Sequence, residues 1–444
     1  MSTDIQRAID AVWRIESARL IAGLTRIVKD VGLAEDLAQD ALLAALERWP
    51  ESGVPNNPGA WLMQTARNRA IDQMRRRATF DRKQDQIGYE IDAQLSSAIP
   101  DPDAAIDDTI GDDLLRLVFI SCHPVLSTDA RVALTLRLVG GLTTDEIARA
   151  HLLPEATVAQ RIVRAKKTLT DAKAPFEVPR GAAFDARLSS VLQVLYLIFN
   201  EGYSATTGDD WLRPALCEDA ARLCRILAGL VPNEAEVHGL LALMEIQASR
   251  SRARVGPDGE PVLLLDQDRS RWDQMLIRRG LASLDRALAL DGPTGPYTIQ
   301  AAITACHARA RTAAETDWAQ IAELYALLNS IAPSPIVELN RAVAISMAEG
   351  PAVALELVDA LKDVPALKRY HLLPSVRGDL LFKLSRFGEA RAEFERAALL
   401  TKNTREQDFL RARAEACLVT VVNSNFTAEG AEERQQPQRA RRTT

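Results

Sequence analysis

Gln160, Arg161, Arg164 and Lys167 crowd together in the segment "TTDEIARAHLLPEATVAQRIVRAKKTL", which runs from Thr143 to Leu169. Gln and Arg can bond a base edge at two points, each good pair giving ~1–3 kcal/mol of discrimination. Arg and Lys also neutralise phosphates. Thr157 adds a hydroxyl, and Glu155 could accept from a cytosine amino group. The chemistry on offer is DNA reading, although the same face also fits a helical hairpin with solvated charge. A second basic set, Arg67, Asn68, Arg75, Arg76 and Arg77, lies in "WLMQTARNRAIDQMRRR". Upstream, "EDLAQDALLAALERW" places Glu35, Asp36, Gln39 and Asp40 on its polar side. An acidic helix and a basic helix in one small domain point to two partners, a basic protein surface and a nucleic acid.

Helices must position all three groups. In the first segment Thr143 and Glu146 fit a capping box, hydroxyl at the N-cap and carboxylate three residues on. Pro154 suits the first turn of a second helix. There Val158, Ile162, Ala165 and Leu169 form one apolar face, opposite most of Thr157, Gln160, Arg161, Arg164 and Lys167. Leu142, Ile147 and Ala148 should face inward. The turn "AHLLPE" lacks the glycine common in helix-turn-helix motifs. Leu33, Leu37, Ala41 or Leu42, and Leu46 give the acidic segment helical spacing, and "SGVPNNPGAW" is a loop rich in Pro, Gly and Asn.

Composition bounds the rest. A chain of 444 residues is too long for one ordinary core. Its 47% hydrophobic and 26% charged content is that of a globular protein, and its 5% aromatics and abundance of Ala, Leu and Arg favour helices. The net charge of −6 counts mildly against a nucleic-acid binder, but charge is segregated: 67–83 and 161–167 are basic, about 85–113 is acidic. No apolar run is expected to span a bilayer, and the polar N-terminus has no signal-peptide core. Five scattered cysteines without a CxxC fit the reducing cytoplasm. Cys122 and His123 are adjacent, and Cys217, Cys224 and His238 are loosely spaced. No standard zinc spacing, P-loop or dinucleotide fingerprint appears, so no metal, cofactor or catalytic group is expected.

From about 185 to 420 the chain is helical with repeats. Gly378, Phe387, Ala390, Phe394 and Ala397 resemble a tetratricopeptide unit, a small residue where two helices touch and large ones filling the gap. Weaker copies contain Gly350, Ala354 and Val358, then Ile321 and Tyr325, then Gly280, Leu284 and Ala287, at intervals of roughly 33 to 41 residues. Stacked pairs of this kind make a concave surface suited to a peptide or protein partner.

"AEDLAQDALLAALERW", "AWLMQTARNRAIDQMRRR" and "TTDEIARAHLLPEATVAQRIVRAKKTL", in that order, resemble regions 2.2, 2.3–2.4 and 4.2 of an extracytoplasmic-function RNA polymerase sigma factor. The resemblance covers about residues 8–172. The remainder resembles the tetratricopeptide-like C-terminal extension of one subgroup. An all-α fold follows: sigma region 2 (1–82), an acidic linker (83–111), helix-turn-helix region 4 (112–174), a helical repeat domain (181–424) and a disordered tail (425–444). By this resemblance Asp36, Gln39 and Asp40 dock on the clamp of the polymerase's largest subunit. Asn56 and Asn57 cradle a base flipped from the −10 element, with Trp61 as the nearest aromatic, although Trp61 also fits a core position. Arg67, Asn68, Arg75 and Arg76 hold the −10 strand. Glu155, Thr157, Gln160, Arg161, Arg164 and Lys167 face the −35 element. The linker threads the RNA path or is a plain tether. The partners are core polymerase and promoter DNA, without a membrane, and the repeat domain controls the sigma part, stabilises the fold or contacts polymerase. The main alternative is an operator-binding helix-turn-helix regulator with a repeat-based sensor, which leaves the region 2-like segment unexplained. A third is a protein-binding repeat scaffold.

Overall fold

The computed structural model describes residues 2–81, 106–151, 153–204, 207–208, 212–257 and 260–432. The fold is all-α, with 18 α-helices among the described residues and one two-residue parallel strand pairing, Thr207–Gly208 with Lys402–Asn403. The chain forms two compact units, residues 1–200 with 218–232, and residues 201–217 with 233–444.

In the first unit, α1 (Ser2–Val28), α2 (Val31–Ser52) and α3 (Pro58–Asp81) pack on one another, and α4 (Ile106–Ser121) lies on α1. Lys29 takes a left-handed φ of 58° between α1 and α2, and the Asp30 side chain caps α2 by accepting from the Leu33 N–H at 2.7 Å. The apolar stripe of α2 then buries Leu37, Ala38, Ala41, Ala45 and Trp49. Asp113 on α4 is buried between Arg26 (3.1 Å) and Arg116 (2.8 Å). Burial outweighs both guanidinium groups and holds its carboxyl above the usual range. α5 (Thr128–Leu138), α6 (Thr144–His151) and α7 (Glu155–Asp171) form the helix-turn-helix side of the unit. α8 (Ala182–Tyr203) and the body of α9 (Pro214–Leu230) complete it: Phe184 packs on Phe119 at 5.5 Å, Arg131 donates to Ser190 at 2.8 Å, and Arg222 donates to the Gly140 carbonyl at 2.7 Å.

The second unit runs through α10 (Ala235–Ala248), α11 (Gln274–Ala289), α12 (Pro296–Arg309), α13 (Trp318–Ile331), α14 (Pro335–Ala348), α15 (Pro351–Ala360), α16 (Leu372–Lys383), α17 (Phe387–Leu400) and α18 (Thr404–Glu432), successive helices packing as neighbours. Gly378 on α16 lies under Phe394 on α17; a Cβ there would stand 3.0 Å from the ring. Gly280 on α11 likewise lies against Ile246 and the Ala242 carbonyl of α10. These are the small-against-large contacts the repeat pattern predicts.

Several expectations are corrected. Gly350 is not at a helix contact: its φ is 108°, nothing stands within 4 Å of its Cβ position, and it shapes the turn before α15. Helix α4 begins at Ile106, so 106–111 of the expected linker is helical; 83–105 lies outside the described residues. Helix α18 continues to Glu432 through eight residues (425–432) of the expected disordered tail, and 433–444 lies outside the described residues. α8, with 22 residues, is long and apolar enough to cross a membrane by length and composition, contrary to expectation. Its Leu188, Val191, Leu195, Ile198 and Phe199 are buried within the protein, as in a core helix.

Candidate nucleic-acid interface

The helix-turn-helix is built from the bottom as its sequence predicts. The Thr143 hydroxyl accepts from the Glu146 N–H at 3.1 Å, and the Glu146 carboxylate accepts from the Thr143 N–H at 2.8 Å. Burial works against the Glu146 charge, but these bonds and Arg14, at 2.6 Å, outweigh it and hold the carboxyl below its usual range. The turn closes without glycine because the Leu153 N–H reaches back to the Ala148 carbonyl at 2.9 Å. Pro154 is the N-cap of α7 rather than its first helical residue, with extended ψ of 136°. Leu142, Ile147, Ala148, Val158, Ile162, Ala165 and Leu169 are all buried.

This packing turns the other face of α7 outward. Glu155, Thr157, Gln160, Arg164 and Lys167 are exposed. Thr157, Gln160, Arg161 and Arg164 line one groove of about 350 Å³ against Leu126, Ser127 and Ala130 beside the start of α5. Arg161 is half-buried and pairs with Asp129 at 3.1 Å, so part of its charge is already answered. The groove is a row of polar and cationic tips on a rigid helix, the form suited to base edges and phosphates.

The α2–α3 region gathers the other group. Asp36 and Asp40 are exposed on α2, and Asp40 faces Arg69 at 3.5 Å. Gln39 is half-buried and donates to Glu35 at 2.6 Å. Asn56 and Asn57 are exposed, but the Asn57 side-chain oxygen accepts from the Ala60 N–H at 3.0 Å, so its first task is to cap α3. Trp61 is half-buried, edge-on to buried Trp49 with centroids 5.3 Å apart. It therefore serves the α2–α3 packing while keeping part of its surface open. Along α3, Arg67 is half-buried and Asn68 and Arg75 are exposed; the side chains of Arg76 and Arg77 lie outside the described residues.

Glu35 is the main correction. It is not on the solvent side of α2 but only 2% exposed. Arg137 of α5 donates to it at 2.6 Å, and the Lys166 ammonium of α7 contacts its other oxygen. Lys166 also stands 3.8 Å from Asp36, and Thr170 donates to Asp30 at 2.9 Å. Helices α2, α5 and α7 thus touch through an ion cluster around the buried Glu35 carboxylate. Sequence reading missed Lys166 and Arg137. The signal was available for Lys166, which borders the buried stripe through Ile162 and Leu169.

Cys122 is buried against Thr135 at 3.4 Å, and burial pushes its thiol up to about 11, the state of a structural rather than a reactive cysteine. Among the described residues, no three His, Cys, Asp or Glu side chains are grouped as metal ligands.

Residues 15–80 match the family model Sigma-70 region 2, and residues 116–169 match Sigma-70, region 4. The probable ECF RNA polymerase sigma factor SigI of Mycobacterium tuberculosis is 26% identical over 167 residues, 37% of this chain and 55% of that protein. The chain belongs to the sigma-70 family, in its extracytoplasmic-function branch. The alignment with SigI spans about half of that relative's length, whereas the RNA polymerase sigma-H factor of Pseudomonas aeruginosa is 29% identical over 175 residues, 38% of this chain and 88% of that protein. An uncharacterized protein of Rhizobium meliloti, R00370, is 42% identical over 396 residues, 88% of this chain and 91% of its own length. Residues 187–288 match a family of unknown function, DUF6596. The region 2 match runs from within α1 through α3, and the region 4 match from within α4 through α7.

Proposed function

We propose that this sigma factor brings core RNA polymerase to promoters in which α7 reads a −35 element and α3, with the 53–57 loop, holds a melted −10 element. The observation that supports this most is the row Thr157, Gln160, Arg161 and Arg164 lining one open groove on a helix whose opposite face is fully buried. Asp36, Gln39 and Asp40 would dock on the clamp of the polymerase's largest subunit. Arg67, Asn68, Arg75 and Arg76 would hold the −10 strand. The work is recruitment and strand capture rather than bond chemistry, carried out in the cytoplasm.

The Glu35 cluster gives this reading a condition. Lys166 cannot hold Glu35 on α2 and travel with α7 to a separate DNA element. Binding polymerase through α2 would therefore be coupled to release of α7, so that the free protein reads promoter DNA poorly and the holoenzyme reads it well. The second unit would act on this equilibrium in cis, its helical repeats holding a peptide or protein partner.

The test is transcription in vitro with core polymerase from the source organism, full-length protein and fragmented genomic DNA, with 5′ ends sequenced. Discrete starts sharing two upstream motifs at constant spacing are expected. No starts and no co-elution with core polymerase, together with salt-dependent DNA binding by the chain alone, would establish the operator-binding regulator instead.

A further inference from the structure

A short joint connects α5 to the helix-turn-helix pair α6–α7. α5 ends at Leu138, and the N–H groups of Val139 and Gly140 both reach the Thr135 carbonyl at 3.0 Å. The Leu142 N–H reaches back to the Leu136 carbonyl at 3.1 Å, which the left-handed φ of 71° at Gly141 makes possible. A Cβ on Gly140 would stand 2.5 Å from the Leu136 carbonyl oxygen, and one on Gly141 would stand 2.8 Å from the Ser17 hydroxyl. Both positions therefore call for glycine, and glycine brings no side chain to stiffen the joint. Its direction has to be fixed by bonds from elsewhere.

Three arginines supply those bonds. Arg137 of α5 donates to the Leu142 carbonyl at 3.0 Å and to Glu35 of α2 at 2.6 Å. Arg14 of α1 donates to Glu146, in the first turn of α6, at 2.6 Å. Arg222 of α9 donates to the Gly140 carbonyl at 2.7 Å, and Asp219, three residues earlier on α9, accepts from the same nitrogen at 3.2 Å. The ties to Glu35 and Arg14 belong to α1 and α2, and they break if α7 leaves α2. The Arg222 bond involves neither helix. α8 is tied to the same side of the unit, since Ser190 donates to the Cys122 carbonyl at 3.3 Å and accepts from Arg131 of α5 at 2.8 Å. Arg222 lies outside both sigma-70 matches and inside the 187–288 match, so it belongs to the extension.

We infer that Arg222 is a positioning residue for −35 reading: through it the extension fixes the Gly140 joint, and with it the angle at which α7 is presented once α7 has left α2. Arg222 acts on the backbone of the joint, not on a base or a phosphate. A charged donor on a carbonyl is one of the stronger hydrogen bonds and holds the orientation of that peptide plane. The geometry magnifies the effect. α7 has 17 residues and is about 25 Å long, so a tilt of about 5° at its near end moves its far end by about 2 Å. A hydrogen bond to a base edge does not survive a shift of that size. This role rests on the promoter reading above and names the residue through which the extension enters it.

The test is transcription by full-length protein with core polymerase on three templates built from one mapped promoter: the intact duplex, the duplex with its −35 motif scrambled, and a template whose −10 region is already melted and whose −35 motif is scrambled. Arg222→Met should lower transcription from the intact duplex about tenfold. It should leave co-elution with core polymerase, and transcription from the pre-melted template, within about twofold of the parent. Arg222→Lys keeps a charged donor and should restore most of the loss. Arg222→Gln takes the place of Arg222→Met, with the same expected loss, if circular dichroism shows the methionine variant to be unfolded. Parental transcription from the intact duplex, an equal loss on the intact and pre-melted templates, or no recovery in Arg222→Lys would each overturn the role of Arg222 and leave the promoter reading standing. A parent indifferent to the scrambled −35 motif would overturn both.

Discussion

Two cationic clusters in this protein are balanced in different ways. In the first unit Arg137 and Lys166 converge on one carboxylate, Glu35, which is 2% exposed. In the second, Arg250 and Arg269 converge on an indole, and their hydrogens go to a hydroxyl, two carbonyls and a threonine. The first cluster is paired within itself and holds three helices, α2, α5 and α7, together. The second holds its guanidinium groups against rings, hydroxyls and backbone carbonyls, with no carboxylate paired to them among the described residues. Burial of charge thus has two meanings here, and the presence or absence of a carboxylate distinguishes them.

The comparison can be broken most strongly at Glu35. Glu35→Gln removes the shared carboxylate and leaves two cations facing each other in a buried site. A loss of about 3–5 kcal/mol is expected from urea unfolding of the full chain. A loss below about 1 kcal/mol would show that the cluster is dispensable for the fold.

The second cluster is sharpened by pH. His307 is neutral in the fold, its imidazole held down at about 3 against 6.5 in the open chain, so the unfolded state binds the proton more tightly. Its contribution is fully present above about pH 6.5 and falls as pH drops through the window toward 3, by about 1.4 kcal/mol per pH unit. About 2–3 kcal/mol should be lost between pH 6.5 and 4.5, and His307→Gln should flatten that slope in denaturant melts taken across the window.

The repeat packing makes a control away from both clusters. Gly378→Val places a branched side chain where a Cβ alone would be 3.0 Å from the Phe394 ring, and a cost of about 1–3 kcal/mol is expected by thermal unfolding. On the DNA face the effect should appear in recognition instead of stability. Arg164→Ala should leave the melting temperature unchanged but cost ~1–3 kcal/mol of discrimination at one promoter position, read from start-site strengths on a library of −35 variants. The smallest effect belongs to Thr143→Ala, which removes one half of the capping box and should cost about 1 kcal/mol of stability.

Much of this architecture was legible in the chain. The 3.6-residue periodicity of α7 specified which face is buried, and all four predicted apolar positions are buried. The capping box at Thr143 and Glu146 is a local motif, and it formed as written because its bonds span only three residues. Gly378 and Phe394 were readable for a similar reason, since a repeat pattern places a small residue opposite a large one. Local rules also failed where two codes overlap. Gly350 resembled a packing glycine and is a left-handed turn, and the polar stretch before Ile106 concealed the start of α4.

What the sequence alone determined is the set of helices, their buried stripes and the family to which their order belongs. Those depend on interactions between residues close in the chain, where spacing is geometry. What only the tertiary structure decided is which charges meet. Glu35 lies 102 residues from Arg137, and Arg269 lies 47 residues from Thr316. The worth of a charge depends on burial and on its partner, and both are set by chain segments that no local pattern brings together.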